Sequence, residues 1–303
     1  MAKKGRVFKW IIAACVLGAF LIICGAQLGE ESTSYRSKYK IATGLYHTIG
    51  LKSDGTVIAA GLSSHGQCDV SDWKNIINIS VGDEKTFGVK ADGTVVAVGN
   101  NLVHQLDVDS WRNIIQVVNG CGYATWGLKS DGTIISTANY KHISGWTDIV
   151  SIAVGSAHII GLKSDGTVLA AGWNEGGQCN VGGWTDIVAI AAGNHFSVGL
   201  KKDGTVLATG DNNDGECNVY DWSNITQIAC GIRHTVGLKK DGAVVATGFN
   251  DSRQCNVQDW SDIISIAAGG NHTLGLKVDG TVVCLGDGYE KQVQSDIEQW
   301  DLF

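Results

Sequence analysis

The chain has 303 residues, of which 44% are hydrophobic, with 41 Gly, no Pro and a formal net charge of -7. Disordered chains combine low hydrophobicity with high net charge, and this composition shows neither. An acidic chain without a basic stripe is also a poor binder of nucleic acid, because affinity for the phosphate backbone comes chiefly from Lys and Arg. We therefore expect a folded protein with no nucleic-acid partner.

The N-terminus combines a basic cluster with an apolar run. Residues 1–9 contain four Lys or Arg and no acid, and residues 10–26 (WIIAACVLGAFLIICGA) contain no charge. Such a run is either a short membrane span or a signal peptide, and its length favours a retained anchor over a signal peptide. In both cases the basic flank stays in the cytoplasm. After a tether at residues 27–40, we expect the body to lie outside, as a single-pass membrane protein or a secreted one.

From residue 41 to the end the chain repeats one unit seven times. An Asp-Gly pair marks each unit, and the mean spacing between pairs is 37.5 residues. The pairs begin at Asp54, Asp92, Asp131, Asp165, Asp203, Asp241 and Asp279. A period between about 20 and 50 residues is typical of solenoids, propellers and arrays. Each repeat buries its apolar faces only against its neighbours, so residues 41–303 are predicted to form one domain.

Each unit contains four short apolar runs, typified by DIVAIAAG, HxxGLK, DGTVLATG and QCNVxxW. The Asp-Gly pair between two β-rich runs is a strong hairpin signal. No run reaches the 10–12 residues that favour a helix. The third run, such as TVIAAG at 56–61, is apolar on both faces and must be covered on both sides. We predict an all-β, seven-bladed β-propeller of four-stranded repeats, preceded by one N-terminal hydrophobic helix.

Four segments resemble the signature of the regulator of chromosome condensation repeat, in which an aliphatic and two small residues precede G-x-x-H-[ST]. They are residues 41–51, 152–162, 228–238 and 266–276. In the other units Lys85, Ala124 and Phe196 stand where His is expected. The resemblance implies a seven-bladed propeller. It covers relatives as different as a chromatin-bound nucleotide exchange factor and the secreted type-II β-lactamase inhibitory proteins. The short DGTV units, acidic charge and export signal are closer to the second group.

Repeated residues are predicted to serve the fold rather than catalysis. A single active site does not need four His on separate blades, so these are expected to make structural hydrogen bonds; they are His47, His158, His234 and His272. Trp126 and seven Trp at one position are expected to pack in the core; the seven are Trp73, Trp111, Trp146, Trp184, Trp222, Trp260 and Trp300. Four Cys share one slot without a C-x-x-C pattern, and we expect free thiols; they are Cys68, Cys179, Cys217 and Cys255.

No motif for catalysis or for a cofactor is present. His65, His104 and His142 lie in loops of successive units, which should be too far apart to hold one zinc ion. The sequence contains no G-x-S-x-G, no H-E-x-x-H and no phosphate-binding glycine loop. It therefore predicts no catalytic residue, no metal and no cofactor.

Loop variability points to one face of the propeller. If the four runs alternate in direction, the one-two and three-four loops share a face and the Asp-Gly hairpins lie on the other. The first face varies from unit to unit, and its aromatic residues and Arg are of the kind that dominate interfaces. The predicted protein-binding residues are Tyr46, Leu62, Tyr123, Tyr140, Trp173, Arg233, Phe249 and Tyr289. The third unit has 15 residues from Asp131 to Trp146 where five others have 19, which predicts a notch beside Tyr140.

The leading hypothesis is a monomeric, non-enzymatic, extracytoplasmic scaffold that binds a protein ligand through the variable face. Two alternatives stay open. The family resemblance alone implies nucleotide exchange on a small GTPase. The third possibility is an extracellular hydrolase or cell-wall-associated protein.

Overall fold

A computed structural model describes residues 40–120, 124–138, 141–287, 296–297 and 299–303. The predicted anchor at residues 10–26, and the tether up to residue 39, lie outside these ranges. In the part of the chain that the structure describes, no helix is long and apolar enough to cross a membrane.

The described residues form seven antiparallel sheets of three strands, and each strand pairs with the next one in sequence. We number these sheets as blades 1 to 7. The strands are β1 (Lys40–Thr43), β2 (His47–Leu51) and β3 (Val57–Gly61); β4 (Ile76–Val81), β5 (Lys85–Lys90) and β6 (Val95–Gly99); β7 (Ile114–Asn119), β8 (Thr125–Lys129) and β9 (Ile134–Ser136); β10 (Ile149–Val154), β11 (His158–Lys163) and β12 (Val168–Gly172); β13 (Ile187–Ala192), β14 (Phe196–Lys201) and β15 (Val206–Gly210); β16 (Ile225–Cys230), β17 (His234–Lys239) and β18 (Val244–Gly248); β19 (Ile263–Ala268), β20 (Asn271–Lys277) and β21 (Val282–Asp287). A 3-10 helix at Lys141–Ile143 follows β9.

The Asp-Gly hairpin joins the second and third strands of every blade. In blade 1 the Asp54 carboxylate accepts hydrogen bonds from the Thr56 backbone N–H at 2.8 Å and its hydroxyl at 2.6 Å. These bonds hold the pKa of Asp54 below its usual value. The same two bonds recur in five other blades, at Asp92, Asp131, Asp165, Asp203 and Asp279. The turn therefore makes the same two hydrogen bonds in six of the seven blades.

The seven-bladed, all-β architecture is confirmed, but the expectation of four strands per blade is wrong. The fourth run forms consecutive tight turns instead, because its backbone bonds stay local: Val70 N–H donates to Cys68 O and Trp73 N–H to Val70 O. It still supplies core side chains. The Trp73 ring lies against Gly88 of the following blade, where a Cβ would approach it to 2.8 Å. The run therefore covers the next sheet without joining it.

The first strands of the seven blades surround a central axis, and β19 lies beside β1 to close the ring. A glycine follows each of these inner strands; for Gly44, a Cβ would come within 2.2 Å of the Gly82 carbonyl oxygen. Only glycine permits this approach between blades. Backbone bonds link neighbouring blades here, from Ser156 N–H to Asn194 O and from Asn194 N–H to Ile232 O, both at 3.1 Å.

The C-terminus completes blade 1. Trp300 lies against Gly50 as Trp73 lies against Gly88, and the side chain of Leu302 is fully buried. Leu302 N–H also donates to Gly280 O in the hairpin of blade 7. The last residues of the chain thus do for blade 1 what each fourth run does for the following blade, and the predicted packing role of this Trp position is confirmed.

Candidate functional site

The loop face is built from one repeated pair of residues at the open end of each blade. The residue before the second strand and the residue after the third strand are joined by a backbone bond, as from Leu62 N–H to Tyr46 O at 2.8 Å. This backbone bond recurs in five blades, and the side chains of the residues that it joins differ from blade to blade. The pairs joined this way are Tyr46 with Leu62, Glu84 with Asn100, Ala157 with Trp173, His195 with Asp211, and Arg233 with Phe249.

At three junctions a further variable residue contacts this position from the loop of the preceding blade. His65 lies 3.7 Å from the Glu84 carboxylate, and Arg233 donates to Asp214 at 3.1 Å. In blade 7 the Ser252 hydroxyl donates to Asp287 at 2.6 Å. These three junctions each present a small cluster of side chains, and the residue types differ from one junction to the next.

The loops that carry these clusters are held in one shape by an asparagine. Asn174 Nδ2 donates to Asn180 at 3.1 Å, and Asn174 Oδ1 accepts the Cys179 N–H at 2.7 Å. The same two bonds recur from Asn101, Asn212 and Asn250. A loop already fixed by hydrogen bonds loses little entropy when it binds a partner.

The cysteines of these loops are free thiols beneath the loop backbone. Cys217 Sγ contacts Asp211 O at 3.2 Å, and Cys255 Sγ contacts Phe249 O at 3.4 Å. Burial raises the pKa of Cys217 to about 12 and that of Cys255 to about 11. A thiol is nucleophilic only as its thiolate, so these groups serve packing rather than reactivity.

Five of the eight predicted binding residues lie in the described structure, all on the loop face. Tyr46, Leu62 and Trp173 are exposed, with 44%, 48% and 38% of their surface accessible. Arg233 is exposed as well, but Phe249 is half-buried because the Arg233 guanidinium covers its ring at 3.8 Å. The other three, and with them part of the predicted notch, lie outside the described residues: Tyr123, Tyr140 and Tyr289.

Sequence reasoning missed three residues of this face. Leu102 is the more exposed of two neighbouring apolar side chains, at 83%, and Val103 is next to it. His195 meets the Trp173 ring edge-on, with 4.9 Å between ring centroids. Leu102 and Val103 are two adjacent apolar residues in an otherwise polar loop, and this pattern in the sequence could have identified them. The contact of His195 depends on how two blades meet and leaves no mark in the sequence.

The repeated histidines are buried between blades and hydrogen-bonded. His47 Nε2 lies 2.8 Å from the Thr86 hydroxyl of the next blade, which donates to Gln67 O at 2.7 Å. Equivalent links join His158 to Ser197 and His234 to Thr273. Burial lowers the pKa of His47, His158 and His234 to about 4 and that of His272 to about 3. These histidines therefore tie blades together as neutral rings, as expected.

Serine and histidine side chains approach each other at three points among the described residues, and none of the arrangements activates the serine. At the link between His158 and Ser197, the Ser197 hydroxyl donates to Gln178 O at 2.8 Å. Ser64 Oγ and Glu84 both face Nδ1 of His65, whereas a catalytic triad needs them on opposite nitrogens. Ser156 Oγ lies 3.4 Å from His195 Nδ1 but donates to Asn194 O at 3.0 Å. The described residues also bring no three His, Cys, Asp or Glu side chains together as a metal site.

The axis holds a cavity of about 150 Å³ at the loop-face end of the inner strands. Its walls come from the last residues of these strands and the glycines that follow, and all the described blades contribute. Asp83 and Asn119 are among the polar residues that line it.

Comparison with protein families assigns the repeats. Five segments match the family model of the regulator of chromosome condensation (RCC1) repeat: residues 39–67, 149–178, 187–216, 225–254 and 263–292. The chain belongs to the RCC1-repeat propeller family. The two units of this RCC1-repeat protein outside the match are those in which Lys85 and Ala124 replace the histidine. A comparison with curated proteins gives no match.

Solved structures share the fold at low sequence identity. The ectodomain of the Arabidopsis thaliana receptor kinase ACR4 is 22% identical with a TM-score of 0.70, over 84% of this chain and 96% of that one. Human WBSCR16 is 16% identical with a TM-score of 0.61, over 80% and 87%. Prp20p from Saccharomyces cerevisiae is 18% identical with a TM-score of 0.46, over 82% and 71%. At these identities the likeness concerns the fold alone.

Proposed function

We propose that this RCC1-repeat propeller is a non-enzymatic scaffold that is displayed outside the cytoplasm and binds a protein through its loop face. The observation that carries the proposal is the repeated junction cluster. One backbone frame, with the same bond in five blades, presents side chains that differ from blade to blade. A fold that only had to be stable could repeat these residues as it repeats its hairpins, whereas recognition needs differences.

The ends of the described propeller support this orientation. Lys40, the first described residue, pairs with Leu51 beside the Asp-Gly hairpin. Phe303 lies next to Gly280 in the hairpin of blade 7. Both ends therefore emerge on the hairpin face, and a membrane anchor joined to residue 40 would leave the loop face pointing away from the membrane.

Charge on the loop face indicates the kind of partner. Nine carboxylates that are not buried lie in the described loops of this face: Asp69, Asp83, Glu84, Asp107, Glu175, Asp211, Asp214, Asp251 and Asp287. Among the residues of these loops whose side chains the structure describes, the Arg or Lys residues are Arg233 and Arg253. The best-matched partner surface carries excess Lys and Arg around apolar contacts for Trp173 and Leu62, since complementary charge speeds and orients association.

Display outside the cytoplasm is motivated by the predicted anchor at residues 10–26, and the receptor-kinase ectodomain is an example of this fold in an extracellular part of another protein. Location can be tested with a reporter fused after Phe303 that is active only outside the cytoplasm. An active reporter is expected. A second fusion carries a reporter that is active only in the cytoplasm. Activity of that second reporter alone would overturn the proposed display outside the cytoplasm and would favour nucleotide exchange on a cytosolic GTPase.

Binding can be tested by capture of surface and medium proteins on the immobilised full chain. Trp173→Ala combined with Leu62→Ala should abolish capture of a specific partner. Tyr220→Ala is the matched control, because Tyr220 is an aromatic residue with 87% exposure outside the loop face. Equal loss of capture in the control, or no loss in the loop-face variant, would contradict the assignment of the face.

A further inference from the structure

The axial cavity has the shape and lining of a small-molecule site. Its wall is largely aliphatic, from residues such as Val118, Val154, Ala191 and Ala268. The volume of about 150 Å³ equals that of an engineered apolar cavity that binds benzene. A chain of four or five carbons therefore fits along the axis.

The cavity has one charged corner. The residue after each inner-strand glycine lies at the loop-face rim, and the described ones are Leu45, Asp83, Ser156, Asn194, Ile232 and Gly270. Asp83 alone among them is ionisable. Asp83 is therefore the one carboxylate among the described rim residues, and Glu84 and the Lys85 cation lie near it.

The groups around Asp83 act on the charge of its carboxylate in opposite directions. Burial raises the pKa of Asp83 and the neighbouring Glu84 raises it further, while the cation of Lys85 opposes both. Beside it, Asn119 Nδ2 donates to Ser80 Oγ at 3.1 Å, and Asn119 Oδ1 accepts no hydrogen bond from the described residues. Both acceptors lie on the same side of the axis, because Asn119 contacts Gly82, the residue before Asp83.

We propose that the axial cavity binds a small amphipathic cation of the primary alkylammonium class, with the ammonium at Asp83 and the alkyl chain along the axis. The ammonium offers three N–H donors to a rim of acceptors. The alkyl chain leaves water for the aliphatic wall. Because the charge sits at the rim, a lysine of a protein partner, which would enter with its ammonium first, does not fit this arrangement. The ligand is therefore a free small amine, and the inference is independent of the proposed protein binding.

The test is calorimetric titration of the full chain with n-alkylammonium chlorides at constant ionic strength. Affinity should rise roughly fourfold with each methylene from propyl to pentyl, and stop rising once the cavity is full. Asp83→Asn should weaken butylammonium binding at least tenfold while leaving the weak binding of n-butanol unchanged. Asp251→Asn is the matched control, since Asp251 is an exposed acid of the same face that does not line the cavity.

Three outcomes would overturn the proposal: no binding of butylammonium to the wild type, equal affinity in the Asp83→Asn variant, or affinity independent of chain length. Thermal unfolding of Asp83→Asn checks its fold. Should that variant be unstable, Ala192→Met, which fills the cavity and keeps the carboxylate, must abolish binding. The amine titrations involve neither a protein partner nor the loop-face variants. The outcome of the protein-capture experiment therefore cannot decide the amine proposal, and each proposal can be refuted without the other.

Discussion

The two faces of this propeller are made from the same seven repeats and follow opposite rules. On the hairpin face, Asp54 and its equivalents make the same bonds to Thr in six blades. On the loop face the backbone bond recurs, but the side chains range from Tyr46 to Arg233. One solution to a folding problem is repeated wherever it works. On the loop face the side chains vary although the backbone bond recurs. Folding alone does not require that variation, and this supports a binding role for the face.

The largest expected effect comes from acid, which should break the shared interior. The unfolded-state pKa of a His is about 6.5, whereas burial holds that of His47, His158 and His234 at about 4. At pH values between about 4 and about 6.5 the unfolded chain therefore binds more protons than the folded chain does. Stability is therefore complete above about pH 6.5 and is lost as the pH falls towards about 4. Each histidine accounts for on the order of 3 kcal/mol, so together they should unfold the propeller.

Urea unfolding at a series of pH values measures this loss. His234→Gln should flatten the pH dependence in that window, and His104→Gln, a change at a largely exposed histidine, should leave it as in the wild type. A stability curve that is flat from pH 6.5 to 4 would show that the inter-blade histidines do not stay neutral.

The next effect concerns the close approach of blades at the axis. Gly44→Ala would place a Cβ 2.2 Å from a backbone oxygen of blade 2, which cannot move without the blade. We expect a loss of about 2–3 kcal/mol in the free energy of unfolding. Gly182→Ala is the matched control, because no atom lies within 4 Å of its added Cβ. If the two variants unfold at the same urea concentration, the blades do not pack closely at the glycines that follow the first strands.

The sequence predicted the fold well because each structural signal occurs seven times. A single Asp-Gly pair is weak, whereas seven at a regular spacing leave few architectures. The fourth run misled because its Val and Trp resemble a strand. Its true marker is a pair of polar residues six apart, such as Asn174 and Asn180, which close a loop. The loop face was predictable as variable, but the burial of Phe249 was not. It depends on Arg233, 16 residues earlier, folding over the ring.

A smaller effect tests whether a strained backbone position on the loop face lowers the free energy of unfolding. Arg253 has φ of 66°, at a position where Gly66, Gly177 and Gly215 occur in other units. A non-glycine residue in this left-handed region costs roughly 1–2 kcal/mol, partly offset by the entropy that glycine loses on folding. Arg253→Gly should therefore stabilise the protein by up to about 1 kcal/mol in urea unfolding. Gly177→Ala should have the opposite sign, and a destabilised Arg253→Gly would show that the Arg side chain itself holds the loop.

The smallest effect would make the hairpin face fully uniform. In blade 6 Ala243 stands where six blades have Thr, so Asp241 accepts only the backbone N–H, at 3.1 Å. Ala243→Thr should add the missing hydroxyl bond and stabilise the protein by about 0.5 kcal/mol, the lower end for a hydrogen bond that competes with water. Thr205→Ala, which removes that bond from blade 5, should cost a similar amount, and the pair forms a reciprocal test in urea. Changes of the same sign in both variants would mean that the hydroxyl bond is not what the repeated turn retains, and that the uniformity of this face has a cause other than hairpin stability.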